Sequence, residues 1–313
     1  MTTAVGRDLS VNLAPLHPKG LVITNPVIGA SGTVAYGKEL GQVSELSSIG
    51  AIVCKGITRR PRLGNPQPRL AETASGLLNT IGLQNVGAEA AAEELAPIWA
   101  TWPIKVIANI SGETAAEFGE IARILDGRPG ISALEVNIGC PNVERGGLEF
   151  GVDARAAALV TETVKRASSL PVMVKLTPNV TDITRICRAV VDSGADCISL
   201  VNTFVGLSID VPRRRPALST VTGGLSGPAI KPLALAMVYK AAGAVDVPVV
   251  GMGGIASAQD ALEFIMAGAL AVQVGTANFT NPRACVEVAD GIRKYMEREG
   301  LDTISRIVGA ARV

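Results

Sequence analysis

ALEVNIGC, residues 133–140, reads as a buried strand that runs into a thiol. Leu134, Val136 and Ile138 are core residues, and Gly139, Cys140, Pro141 and Asn142 end the run with turn chemistry. The same pattern recurs on both sides of it. NPVIGAS (25–31), GAIVCKG (50–56) and PIKVIANI (103–110) precede it, and PVMVKLTP (171–178), CISLVNT (197–203), VPVVGMGG (247–254) and AVQVGTA (271–277) follow. Each run is rich in Val and Ile and apolar on both faces, as parallel strands covered by helices are. Amphipathic stretches lie between them at Asp153–Ser169, Asp182–Ser193, Lys231–Ala244 and Ala258–Ala267. SGAD (193–196) and AGAL (267–270) read as helix stops with a glycine leading into the next strand.

Eight strand–helix units predict a (β/α)8 barrel, one domain over residues 1–313. A doubly wound open sheet is the alternative. VNLA (11–14) and LVIT (21–24) predict an N-terminal β-hairpin that plugs the barrel floor. The connections Ile57–Trp102 and Phe204–Val247, after strands 2 and 6, are long enough to be lids or binding loops. Within the first, RRPRLGNPQPR (59–69) has no apolar period and reads as loop.

The composition narrows the function classes. The hydrophobic fraction is 48%, the charged fraction 18% and the net charge +1, with no block of basic residues, so neither nucleic acid nor a membrane surface is an expected partner. Met1–Asn12 has no apolar signal core, which argues against secretion. The five cysteines are scattered and form no C-x-x-C, which predicts a reducing cytoplasm, no metal site and no iron–sulfur cluster in this chain. The single histidine, His17, reads as an exposed loop residue, so acid–base chemistry must come from another group.

Barrel active sites form at the carboxyl ends of the strands. Those ends carry Ser31, Lys55, Asn109, Asn137 with Cys140, Lys175, Asn202 with Thr203, Gly253–Gly254, and Gly275–Thr276. A lysine inside VMVKLT is not explained by packing, because a buried ammonium is costly unless paired. The alternative is a barrel-mouth lysine whose head reaches water. The glycine-rich seventh and eighth ends suit a phosphate held by backbone N–H groups. GMGGIA (251–256) also fits a dinucleotide fingerprint, but no acidic residue follows about twenty residues on to hold a ribose, so a nicotinamide site is not expected. Two lysines, several asparagines and a phosphate grip suit a planar polar cofactor such as a flavin. Cys54, Cys187, Cys197 and Cys285 read as small buried hydrophobes. Cys140 differs: it lies just past a strand end beside amide side chains, and a thiol with a pKa of ~8.5 is partly ionised near neutrality and can take a proton.

Several longer stretches resemble the class 1B dihydroorotate dehydrogenases. They are NPVIGASG (25–32), ETASGLLNTIGLQNVG (72–87), NIGCPNV (137–143), GGLEFG (146–151), VKLTPNVTDI (174–183), VNTFVG (201–206), TGGLSGPA (222–229), GMGGIAS (251–257) and GTANFTNP (275–282). The resemblance implies an FMN-containing catalytic subunit that oxidises dihydroorotate to orotate in pyrimidine biosynthesis. It implies Cys140 as the base for C5, Lys55 in contact with flavin and substrate, and Lys175 stabilising the reduced flavin. Asn109 and Asn137 would bond the flavin ring, with Ser31, Gly56, Val201 and Gly227 lining it. Gly253, Gly254, Gly275 and Thr276 would hold the phosphate. Asn79, Ile81, Gly82, Leu83, Asn137, Asn142, Asn202 and Thr203 would surround orotate, under a lid that runs from Pro141 through Gly146–Gly147.

The resemblance further implies an electron-transfer subunit with FAD and a [2Fe-2S] cluster, leading to NAD, and a homodimer within a heterotetramer. Gly139 stands where the family commonly has serine, a departure expected to loosen how Cys140 is oriented, and Val86 where proline is common. The N-terminus lacks the anchoring helix of class 2 enzymes. A fumarate-using class 1A-like enzyme, a Schiff-base aldolase acting through Lys175 or Lys55, and a catalytically silent flavin-binding subunit are the competing functions.

Overall fold

A computed structural model describes residues 7–43, 45–139 and 147–313. Eight strands close into a barrel: β1 (Val27–Gly29), β2 (Ala51–Val53), β3 (Lys105–Ile110), β4 (Ile131–Asn137), β5 (Val172–Leu176), β6 (Cys197–Leu200), β7 (Val249–Met252) and β8 (Ala271–Val274). Each corresponds to one of the apolar runs of the sequence, trimmed at one or both ends, with β4 beginning two residues earlier, at Ile131. Neighbours pair in parallel in chain order, and β8 pairs with β1 to complete the ring. The closure rules out the open-sheet alternative.

Helices cover the outside: α1 (Ala115–Leu125), α2 (Ala154–Ala167), α3 (Ile183–Asp192), α4 (Lys231–Ala242), α5 (Ala258–Met266) and α6 (Ala284–Arg298). Four of them start on a residue chosen for capping. Thr114, Asp153, Asp182 and Ser257 each accept a hydrogen bond from a backbone N–H of the first turn, and Ser257 with Asp260 forms a capping box. The two helix stops come from glycines with positive φ, +96° at Gly194 and +116° at Gly268, a conformation that other residues reach only with strain.

The predicted hairpin is present, with Val11–Asn12 antiparallel to Val22–Ile23. Leu13, Leu21 and Ile23 are buried in the same core as the barrel strands. Ile23 packs against Gly50 just before β2, and Lys19 Nζ donates to Ser169 Oγ just before β5, so the hairpin covers the amino ends of the strands. His17 sits in this hairpin turn. It is half-buried rather than exposed, and its Nδ1 accepts from the Lys19 N–H.

The two long connections are more ordered than a loop reading implies. Leu70–Thr73 and Gly76–Asn79 come from the first, and Phe204–Leu207 and Thr222–Ser226 from the second. They form one four-stranded antiparallel sheet, joined between connections by Asn79 opposite Gly224 and Leu77 opposite Ser226. Residues 59–69 stay irregular, as expected, apart from one bridge between Arg62 and Asn85.

Because Leu13 of the floor hairpin is fully buried in the barrel core, Leu13→Ala is expected to lower unfolding stability by about 2–5 kcal/mol. Urea denaturation followed by circular dichroism measures it, and a loss under about 0.5 kcal/mol would remove the hairpin from the cooperative core.

Candidate active site

Side chains that point into a barrel come from alternate strand residues, and here the upper interior is polar. Glu135 on β4 is fully buried, with 0% exposure. Its Oε2 accepts from Asn109 Nδ2 on β3 at 2.6 Å. Its Oε1 accepts from Ser199 Oγ on β6 at 2.9 Å and from Gln273 Nε2 on β8 at 2.7 Å. Lys175 Nζ on β5 stands 3.9 Å from Glu135 Oε2, and it donates to Ser31 Oγ beyond β1 at 3.4 Å. Lys175 is 6% exposed, so its ammonium is paired inside the barrel and does not reach out to water.

The sequence reading found Asn109, Lys175 and Ser31 and missed Glu135, Ser199 and Gln273. A signal existed. Glu135 and Gln273 interrupt apolar runs at inward positions, and the rule that singled out Lys175 applies equally to a buried carboxylate.

Above this layer lies the mouth. Lys55, two residues past β2, is half-buried; burial pulls its ammonium below the ordinary lysine range, Arg69's positive charge adds to this, and Glu39 opposes it. Gly56 approaches Asn109 and Leu83 so closely that a Cβ there would stand 3.0 Å from Asn109 Oδ1 and 3.4 Å from Leu83 Cδ2. Leu83 has φ +53°, and the Leu83 carbonyl accepts from Asn85 Nδ2 at 2.7 Å. Asn85 Oδ1 also takes the N–H groups of Thr58 and Gly87. Asn85 therefore shapes the turn holding Ile81, Gly82 and Leu83 from behind.

On the adjoining side, Asn202 Nδ2 donates to Asn137 Oδ1 at 3.2 Å and to the Gly139 carbonyl at 3.0 Å. Thr203 N–H donates to Asn202 Oδ1, and Asn79 Nδ2 donates to the Gly224 carbonyl. A Cβ on Gly139 would stand 2.8 Å from Thr177 Cβ, so in this chain Thr177 occupies the space a serine at 139 would need. The Asn202 contact holds the Gly139 carbonyl, while the effect expected on Cys140 falls outside the described residues.

The glycine-rich ends converge as well. Gly253 (φ +121°) packs against Val201 and Ala234. Gly254 (φ +79°) sits where a Cβ would press Lys231 Cβ at 2.8 Å and the Gly227 carbonyl at 2.9 Å. Thr276 Oγ1 donates to Ser226 Oγ at 2.8 Å, which brings the eighth strand end to Gly227. Gly275 faces Ala30, where a Cβ would make ordinary contact at 3.6 Å. Cys140, Asn142 and residues 141–146 of the expected lid lie outside the described residues; Gly147 opens the short helix Gly147–Val152.

The sequence profile of one family, described as dihydroorotate dehydrogenase, matches residues 16–296. The chain belongs to the dihydroorotate dehydrogenase family. Among its relatives are proteins named dihydroorotate dehydrogenase B (NAD(+)), catalytic subunit. The one from Geotalea daltonii is 50% identical over 306 residues, 98% of this chain and 99% of the relative. The one from Desulforamulus reducens is 54% identical over 293 residues, 94% of this chain and 96% of the relative. Membership sets aside the aldolase alternative. Among the described residues no helix is long and apolar enough to cross a membrane.

The other four cysteines of this family member are packing residues. Cys54, Cys187, Cys197 and Cys285 are all buried. Burial raises each thiol, to about 12 for Cys54, Cys187 and Cys285 and well up for Cys197. In a Cys140→Ala variant at pH 8, an aromatic disulfide reagent is therefore expected to label no thiol in the native protein and four after denaturation. Rapid native labelling would show that one of the four is accessible.

Proposed function

We propose that this chain oxidises dihydroorotate to orotate with a bound FMN and passes the electrons to NAD through a partner subunit. The observation that carries the reading is half identity, over nearly the whole chain, with relatives named as NAD-linked catalytic subunits. The word subunit in those names implies a second chain. No C-x-x-C occurs in this one, so an FAD and [2Fe-2S] partner is the reading taken here, with a homodimer of this chain inside a heterotetramer. Scattered free cysteines fit a reducing cytoplasm.

The described residues fit FMN. Asn109 Oδ1 is buried with no hydrogen-bond partner among them, an acceptor left open toward the mouth beside Gly56. A planar ring with an imide N–H satisfies it, and an unpaired buried acceptor otherwise costs about 1–3 kcal/mol. In this reading Ser31, Lys55, Gly56, Asn109, Asn137, Lys175, Val201 and Gly227 contact the ring. Gly253, Gly254, Gly275 and Thr276 take the phosphate, because glycine backbone lets N–H groups approach an anion closely. When bound, FMN supplies a two-electron acceptor that no side chain here provides.

The chain's own groups do the rest. Lys55, half-buried beside Arg69 and Glu39, suits an anionic substrate. Asn79, Asn137, Asn142, Asn202 and Thr203 donate to and accept from the carboxylate and imide edges, over the turn at Ile81, Gly82 and Leu83. Cys140 removes the C5 proton as a thiolate. The asparagine contacts hold substrate and base in one orientation, which is the proximity contribution.

Purified under nitrogen, the protein is expected to be yellow and to bleach on addition of dihydroorotate. Cys140→Ala should keep its flavin and bleach roughly 10²–10⁴-fold more slowly; bleaching at the parental rate would refute the base. A yellow protein that never bleaches would mark a silent subunit. Turnover with NAD should require the partner, whereas turnover with fumarate alone would favour the class 1A-like alternative.

A further inference from the structure

Glu135 has no assigned role, yet it is the most constrained polar group in the barrel. It is wholly buried, on an inward position of β4, and accepts hydrogen bonds from Asn109, Ser199 and Gln273. Its hydrogen bonds among the described residues all come from donors, so the group serves as an acceptor at both oxygens.

The consequence falls on Asn109. A side-chain amide carries a donor at one end and an acceptor at the other, and the two ends have nearly the same shape. A carboxylate can only accept, so Asn109 must turn its NH2 inward, at 2.6 Å from Glu135 Oε2. Its carbonyl oxygen then faces the other way, 3.0 Å from the position of a Cβ on Gly56, with no partner among the described residues. With a neutral amide at 135, either end of Asn109 could face the mouth.

We propose that Glu135 is a positioning residue that fixes the hydrogen-bond polarity of the cofactor site, presenting Asn109 as an acceptor and thereby selecting a ring that offers an N–H there. This rests on the FMN reading. Oxidised isoalloxazine has a single ring N–H, the imide at N3, so the selected edge is the imide. Lys175, 3.9 Å from the same carboxylate, keeps the buried charge paired.

The test compares FMN with 3-methyl-FMN, which lacks that N–H, by equilibrium titration of apoprotein and quenching of flavin fluorescence. The parental protein should bind FMN at least 100-fold more tightly than the methylated flavin. Glu135→Gln should weaken FMN by about tenfold and cut the preference below tenfold, because the Asn109 amide is free to turn. A role confined to stability would lower affinity for both flavins together and leave the ratio intact, and that result overturns the proposal. If Glu135→Gln loses the barrel's circular dichroism, Asn109→Ser decides: the preference should again collapse, and a preserved ratio overturns the proposal. Parental apoprotein that binds neither flavin would sink the FMN reading and this inference together. Binding of both flavins equally by the parental protein would sink this inference alone.

Discussion

A carboxylate sealed inside a barrel is costly unless it is charge-paired and hydrogen-bonded. Glu135 meets that demand with side chains from β3, β6 and β8, and with the ammonium of β5. Removing one partner of such a buried pair typically costs about 3–5 kcal/mol, more than the ~1.5–3 kcal/mol from burying one aliphatic side chain. The polar layer is therefore as binding a constraint on the strand arrangement as the apolar core around it. It also hands its geometry upward, since Asn109 and Lys175 reach the mouth only in the orientations Glu135 allows.

The mouth itself is assembled from distant pieces of chain. The two long connections share one antiparallel sheet, so Leu77 and Asn79, just ahead of the Ile81–Leu83 turn, are registered against Ser226 and Gly224 of the second. Gly227 packs on Gly76, and Gly254 packs on Gly227 and Lys231. Each of these contacts is too close for a side chain. Gly227, Gly253 and Gly254 thus have a packing reason to be glycine.

The relatives and the fold agree at different levels. The closed barrel alone would admit many chemistries. Family membership narrows them to dihydroorotate oxidation. Thr177 fills the space beside Gly139, so a side chain at 139 would require Thr177 to move.

The sequence by itself determined the repeat of strands and helices, the floor hairpin, and the polar residues at the strand ends. These depend on local periodicity, turn chemistry and capping, which neighbouring residues decide. It also separated Cys140 from four cysteines suited to a core. Only the tertiary structure decided that Asn109, Ser199 and Gln273 all meet Glu135, because the bonded pairs lie as many as 138 residues apart and converge only when the ring closes. The same holds for the sheet over the mouth and for which end of the Asn109 amide bonds Glu135. Those outcomes come from long-range pairing and from the cost of an unpaired buried charge, and neither leaves a local pattern along the chain.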